Sequence, residues 1–186
     1  MAPKIIGKNS PKIGVTPSIL LCNPKYPRNV GAVIRLASCF DFKQVWYTGN
    51  RIQLEEGERL PREERMKGYD NVDFINYDKP FDMFENVTPV AVEVQKNSEN
   101  LFEFEHPPNP MYVFGPEDGS IPSVLRRHCH RFLYIPSNHC LNLATAISAI
   151  LWDRQIKRFW NGEIEEIVHP GVAENRGYDD SCVEIG

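Results

Sequence analysis

Three stretches of the chain bring together side chains that could do chemistry: Asn23 to Arg35 (NPKYPRNVGAVIR), Phe114 to Pro122 (FGPEDGSIP) and Ile135 to Ala146 (IPSNHCLNLATA). Arg35 stands one and a half turns into an otherwise apolar helical pattern. A guanidinium there either snorkels out to solvent or faces an anion. Glu117 lies between Gly115 and Gly119, whose backbone freedom permits a tight loop, and its carboxylate could cap a helix or orient a donor. Asn142 opens a long helical pattern, where its side chain can cap that helix or anchor a neighbouring loop. Singly, each residue has an ordinary structural explanation.

The elements that must position these loops alternate in type. Ser18 to Cys22 reads as a buried strand, and Asn29 to Phe40 as a helix with Val30, Val33, Ile34, Ala37 and Phe40 on one face. Strands are expected at Gln44 to Tyr47, Val72 to Tyr77, Pro89 to Val94, Met111 to Phe114 and Arg131 to Ile135, with a short helix near Phe81 to Phe84 and another opening at Pro122. Leu141 to Phe159 reads as a long helix. Strand and helix in turn imply an α/β class, a mostly parallel sheet with helices on both faces. In such sheets ligands bind beyond the carboxyl ends of the strands, and the three loops lie there.

Length and composition set limits. At 186 residues, 41% hydrophobic and 25% charged, the chain has enough apolar content for one compact domain. Its organisation is expected to be a basic segment at 1–17, a main domain at 18–160 and an acidic extension at 161–186. No run approaches the roughly 20 apolar residues of a membrane helix, and the polar stretch Met1 to Pro17 lacks a secretory signal pattern, so a soluble, cytoplasmic protein is expected. The charged stretch Arg51 to Gly68 reads as an exposed loop or short helix. The five cysteines form no C-x-x-C pair, which favours reduced thiols over disulfides. His128-Cys129-His130 lacks a matching ligand pair, so no metal is expected. Neither G-x-x-x-x-G-K nor G-x-G-x-x-G occurs, which removes the usual nucleotide loops.

The net charge of −4 is unfavourable for a phosphate-rich partner, but it is unevenly spread. Residues 161–186 hold seven acids and one arginine, a sum of −6, which leaves residues 1–160 at +2. Charge thus permits a phosphate-rich partner without arguing for one.

In order and spacing, the three stretches resemble the three motifs of the SpoU/TrmH class of the SPOUT superfamily of RNA methyltransferases. Asn29, Gly31 and Arg35 match the first motif; Gly115-Pro116-Glu117-Asp118-Gly119-Ser120 matches the second in part; Ile135-Pro136 with Cys140-Leu141-Asn142 matches the third. Three departures accompany the match. Cys140 stands where serine is usual, the second glycine of motif two comes one residue early, and Glu93 replaces a small polar residue.

This resemblance implies a methyltransferase that uses S-adenosylmethionine on a ribose 2'-hydroxyl of RNA, with tRNA favoured and rRNA possible. It further implies a carboxy-terminal trefoil knot, whose loops would hold the cofactor through Val92, Gly115, Ile135, Cys140 and Leu141. Arg35, Asn29, Glu117 and Asn142 would form the catalytic set. Arg35 would act electrostatically, Asn29 would orient Arg35 or the ribose, Glu117 would fix the second-motif loop, and Asn142 would bind the site loop across the knot. A homodimer is expected, with Leu143, Ile147 and Ile150 serving either its interface or the core of one chain. Two alternatives stay open: a base-methylating SPOUT relative, and a catalytically silent RNA-binding or scaffolding relative.

Overall fold

The computed structural model describes residues 4–6, 14–52 and 71–165. Most of the charged stretch at 51–68, most of the expected acidic extension and Cys182 lie outside the described residues.

The described strands are β1 (Lys4–Ile6), β2 (Ser18–Cys22), β3 (Gln44–Thr48), β4 (Asp73–Asn76), β5 (Thr88–Val92), β6 (Glu99–Asn100), β7 (Pro110–Phe114) and β8 (Arg131–Tyr134). They form one sheet in the order β1-β4-β3-β2-β7-β5-β8-β6. Every described pairing is parallel except that of β1 with β4. The expected mostly parallel α/β sheet is therefore present. β1 and β6 were not anticipated, since three and two residues are too few to display a period.

All five residues of β2, β3 and β7 are buried, because both faces of the sheet are covered. Ile19 and Leu21 point to one face, where α1 (Pro27–Cys39) contributes Val30, Val33 and Ile34, and α3 (Leu143–Trp160) contributes Leu143, Ile147 and Ile150. Leu20 and Cys22 point to the other face, which is covered by Phe81, Met83 and Phe84 around a 3-10 turn at Pro80–Met83 and by Leu125 of α2 (Ser123–Arg126). Leu143, Ile147 and Ile150 thus belong to the core of a single chain, which decides the alternative left open by the sequence.

Of the described residues, those up to Arg154 belong to one compact unit and those from Gln155 to a second. In the second, the described part closes α3 with a left-handed Gly162 (φ +70°). The Gly162 N–H donates to the Phe159 carbonyl at 3.0 Å and the Glu163 N–H to the Arg158 carbonyl at 2.9 Å, satisfying two carbonyls that a helix end would leave unpaired.

Candidate active site

The carboxyl ends of β5, β7 and β8, neighbours in the sheet, open onto a hollow of about 650 Å³. Each of the three motif stretches contributes to its wall. Asn29, Val92, Gly115, Glu117, Ile135, Cys140, Leu141 and Asn142 all line it. Arg35 does not; it is exposed on α1 and outside that lining.

The second motif owes its shape to close backbone approach. A Cβ on Gly115 would sit 3.0 Å from the Ile121 nitrogen and 3.1 Å from the Gly119 carbonyl oxygen. The loop folds back on itself tightly enough to aim Glu117 across the hollow. That carboxylate accepts the Lys25 N–H at 2.8 Å, the Tyr26 N–H at 3.4 Å and the Asn29 side-chain amide at 2.8 Å. Glu117 was expected to fix the second-motif loop by accepting backbone N–H bonds; its carboxylate draws on its own backbone N–H and reaches the first-motif loop as well. α1 has no acid in its first turn and no side-chain cap from Tyr26, so Glu117 supplies the negative charge that the amino end of a helix favours.

Asn29 passes the connection on. Its oxygen accepts from the Asn142 amide at 3.1 Å, and the Asn142 oxygen accepts the Ala144 N–H at 2.9 Å and the Thr145 N–H at 3.4 Å, capping α3. Glu117, Asn29 and Asn142 thus join the three motifs in one hydrogen-bonded chain. Beside it, Asp118 pairs with Arg51 at 2.7 Å and Lys25 at 3.3 Å, and Arg51 leads the causes that hold the Asp118 carboxyl below the usual carboxylate range.

Burial works against a charged Glu117, but the Asn29 amide and the backbone N–H groups outweigh it and hold its pKa below the ordinary 4.5. A group with a lowered folded pKa adds stability above its unfolded pKa and loses it as pH falls through the folded value. Glu117→Ala is expected to lower stability by about 1–3 kcal/mol near neutrality, because it strands donors that met a carboxylate. In denaturant unfolding, the gap between wild type and Glu117→Gln should hold constant from pH 7 to near 5 and shrink below about 4.5. A gap independent of pH down to 3 would remove the charge from this account.

The thiols divide by location. Cys22 and Cys129 are buried, and Cys39 and Cys140 are exposed, all four of them free. Burial, then the nearby Glu93 carboxylate, pushes the Cys129 thiol up to about 12, so it is inert at neutral pH. The His128 ring meets that of Phe81 at a tilt, with centroids 5.0 Å apart, and among the described residues no group of three or more His, Cys, Asp or Glu is placed to hold a metal.

The hollow also includes Tyr26, Glu93, Ile121, Ser137 and Ala146, none of which was singled out as a binding residue from the sequence. Tyr26, Ile121, Ser137 and Ala146 fall inside the three stretches, so their position in the loops was the available signal. Glu93 stood out only as a departure from a motif pattern.

The family model described as the SpoU rRNA Methylase family matches residues 17–152. A curated relative, tRNA (cytidine-2'-O-)-methyltransferase TrmJ of Methanocaldococcus jannaschii, is 23% identical over 161 residues, covering 77% of this chain and 69% of its own. Among solved structures, the SpoU methyltransferase AviRb from Streptomyces viridochromogenes in complex with AdoMet superposes with a TM-score of 0.66 at 17% identity, over 82% of this chain and 63% of that one. The A. aeolicus TrmH/SpoU tRNA modifying enzyme gives 0.63 at 18% identity, over 91% and 88%. This chain therefore spans about three fifths of AviRb and most of the A. aeolicus enzyme, and at these identities the likeness bears on the fold.

Proposed function

The chain belongs to the SpoU methylase family, and from that premise we propose that it transfers the methyl group of S-adenosylmethionine to a ribose 2'-hydroxyl of RNA, with tRNA favoured and rRNA second. The observation that carries this reading is the hydrogen-bonded chain Glu117-Asn29-Asn142, which locks three distant motifs around one hollow at the strand ends.

The residues present fit the cofactor. The hollow has the volume of small-molecule sites, and its wall mixes the apolar side chains of Val92, Phe114, Ile121, Ile135 and Leu143 with a few polar groups. At Gly115 the backbone packs so closely that a side chain would have to push the neighbouring main chain aside, and with glycine there main-chain groups are left to face a ligand. Val92, Gly115, Ile135, Cys140 and Leu141 would hold the adenosine and methionine parts. S-adenosylmethionine supplies the electrophilic methyl group.

The chain's own contribution is positioning and charge. A ribose hydroxyl must lose its proton during attack, and a guanidinium with a pKa above about 12 is a poor base. Arg35 instead holds an adjacent phosphate and stabilises the developing alkoxide. Asn29, fixed between Glu117 and Asn142, keeps the first-motif helix in register with the hollow.

Arg35 follows Asn29 by six residues, which places it about 120° around α1 and about 9 Å along it. This separation, with its exposure, supports a homodimer in which Arg35 serves the hollow of a second copy. Phe40, which caps the end of α1, and the 58% exposed Trp152 of α3 meet edge-on at 6.3 Å and offer an aromatic patch for that contact. The trefoil knot belongs to the same reading. In its support, β8 inserts between β5 and β6, strands laid down earlier in the chain. The cytoplasmic assignment rests on the RNA substrate, and no described helix is long and apolar enough to cross a membrane.

Nucleoside mass spectrometry of tRNA and rRNA from cells with and without the gene tests the reaction. One 2'-O-methylnucleoside should disappear with the gene. Loss of a base-methylated nucleoside alone, or of none, overturns the proposal.

A further inference from the structure

Among the described residues, the lining of the hollow includes two acids, Glu93 and Glu117, and no Lys or Arg, and the proposed reaction uses only one of the two acids. Glu117 meets N–H donors, as described. Glu93 is different. It directly follows β5, and its backbone is pinned on both sides: its N–H donates to the Leu133 carbonyl at 3.0 Å, and its carbonyl accepts the Ser98 hydroxyl at 2.7 Å. Its side chain is 15% exposed. Oε2 accepts the Gln95 amide at 3.1 Å and lies 3.9 Å from the Arg126 guanidinium.

A carboxylate has room for about four hydrogen bonds, and one this enclosed is costly unless donors reach it. Gln95 and Arg126 account for one oxygen and balance its charge, which leaves the group with accepting capacity in a hollow that is otherwise largely apolar. Two neutral hydroxyls on adjacent carbons suit it better than a second cation, because Arg126 already answers the charge. The acid that accepts ribose hydroxyls in dinucleotide-binding folds uses the same chemistry.

We propose that Glu93 recognises the nucleoside part of the ligand by accepting hydrogen bonds from a ribose diol, and so restricts the hollow to ribonucleosides. This rests on the cofactor reading above and adds to it a specificity-determining residue. Glu93 plays no part in methyl transfer to RNA beyond holding the donor.

Calorimetric titration of the full chain tests it with three probes: S-adenosylmethionine, 5'-methylthioadenosine, which lacks the amino-acid part, and the 2'-deoxy form of the latter. Glu93→Ala should weaken the first two equally, by roughly 10–100-fold, and Glu93→Gln by less, since one carbonyl acceptor remains. The deoxy probe should bind wild type weakly and change less than about threefold on Glu93→Ala. Unliganded melting of Glu93→Gln reports whether the fold is intact. Equal loss on the deoxy probe, loss confined to S-adenosylmethionine, or no loss would each overturn the proposal. If wild type binds neither nucleoside, the cofactor reading and this proposal fall together. If the expected pattern appears in a protein that methylates no RNA, the proposal stands and only the RNA reading fails.

Discussion

Replacing Arg35 with alanine or lysine is expected to cut methyl transfer by about 10²–10³-fold, while the Kd for S-adenosylmethionine stays within about twofold. The two halves of this expectation have separate grounds. Arg35 is outside the lining of its own hollow, so the cofactor loses no contact. In its proposed role Arg35 aims its donors at a developing alkoxide, and lysine, a point charge on a flexible stem, would not restore a planar fork. Subunit mixing sharpens the test. If Arg35 acts across a dimer, mixing Arg35→Ala with a hollow-defective chain in equal amounts should recover about a quarter of wild-type activity, from the one intact hollow in each mixed dimer. No recovery would place Arg35 beside its own hollow.

The second large effect is expected at Gly115. The Cβ of a Gly115→Val side chain would press on the Ile121 nitrogen, the Gly119 oxygen and the Ser120 carbonyl carbon, all backbone atoms at 3.0–3.1 Å. Backbone cannot step aside as a flexible side chain does, so the loop must open, and Glu117 shifts with it. Cofactor affinity should fall on the order of 10–100-fold, and transfer with it. Gly119→Ala is the control: its Cβ would meet only the Pro116 ring, at 3.5 Å, an ordinary contact. Calorimetry on both variants checks the pair. Equal effects at the two glycines would remove close packing as the cause.

Much of this fold was legible in the sequence because β2, β3 and β7 are short apolar runs broken by turn residues, and two-sided burial produces that pattern. Boundaries moved by one or two residues: α1 starts at Pro27, whose missing N–H suits the first turn, and not at Asn29. The hollow's lining was legible because strand-end loops converge in a parallel sheet. Its internal wiring was not. Glu117 and Asn29 are 88 residues apart, and Asn142 and Asn29 are 113 apart, and no local period encodes such a pairing. The stripe Leu143, Ile147 and Ile150 suits a chain's own core or a dimer face equally in sequence, and only packing against the sheet decided for the core. Helical spacing located Arg35 on α1 but left open which way its guanidinium faces.

The most direct measurement is transfer of a deuterated methyl group from CD₃-labelled S-adenosylmethionine to tRNA taken from cells lacking the gene, followed by digestion to nucleosides and mass spectrometry with fragmentation. The account predicts one labelled nucleoside whose label stays with the sugar fragment. Label on the base fragment, or none on tRNA or rRNA from a protein that binds the cofactor, would contradict it.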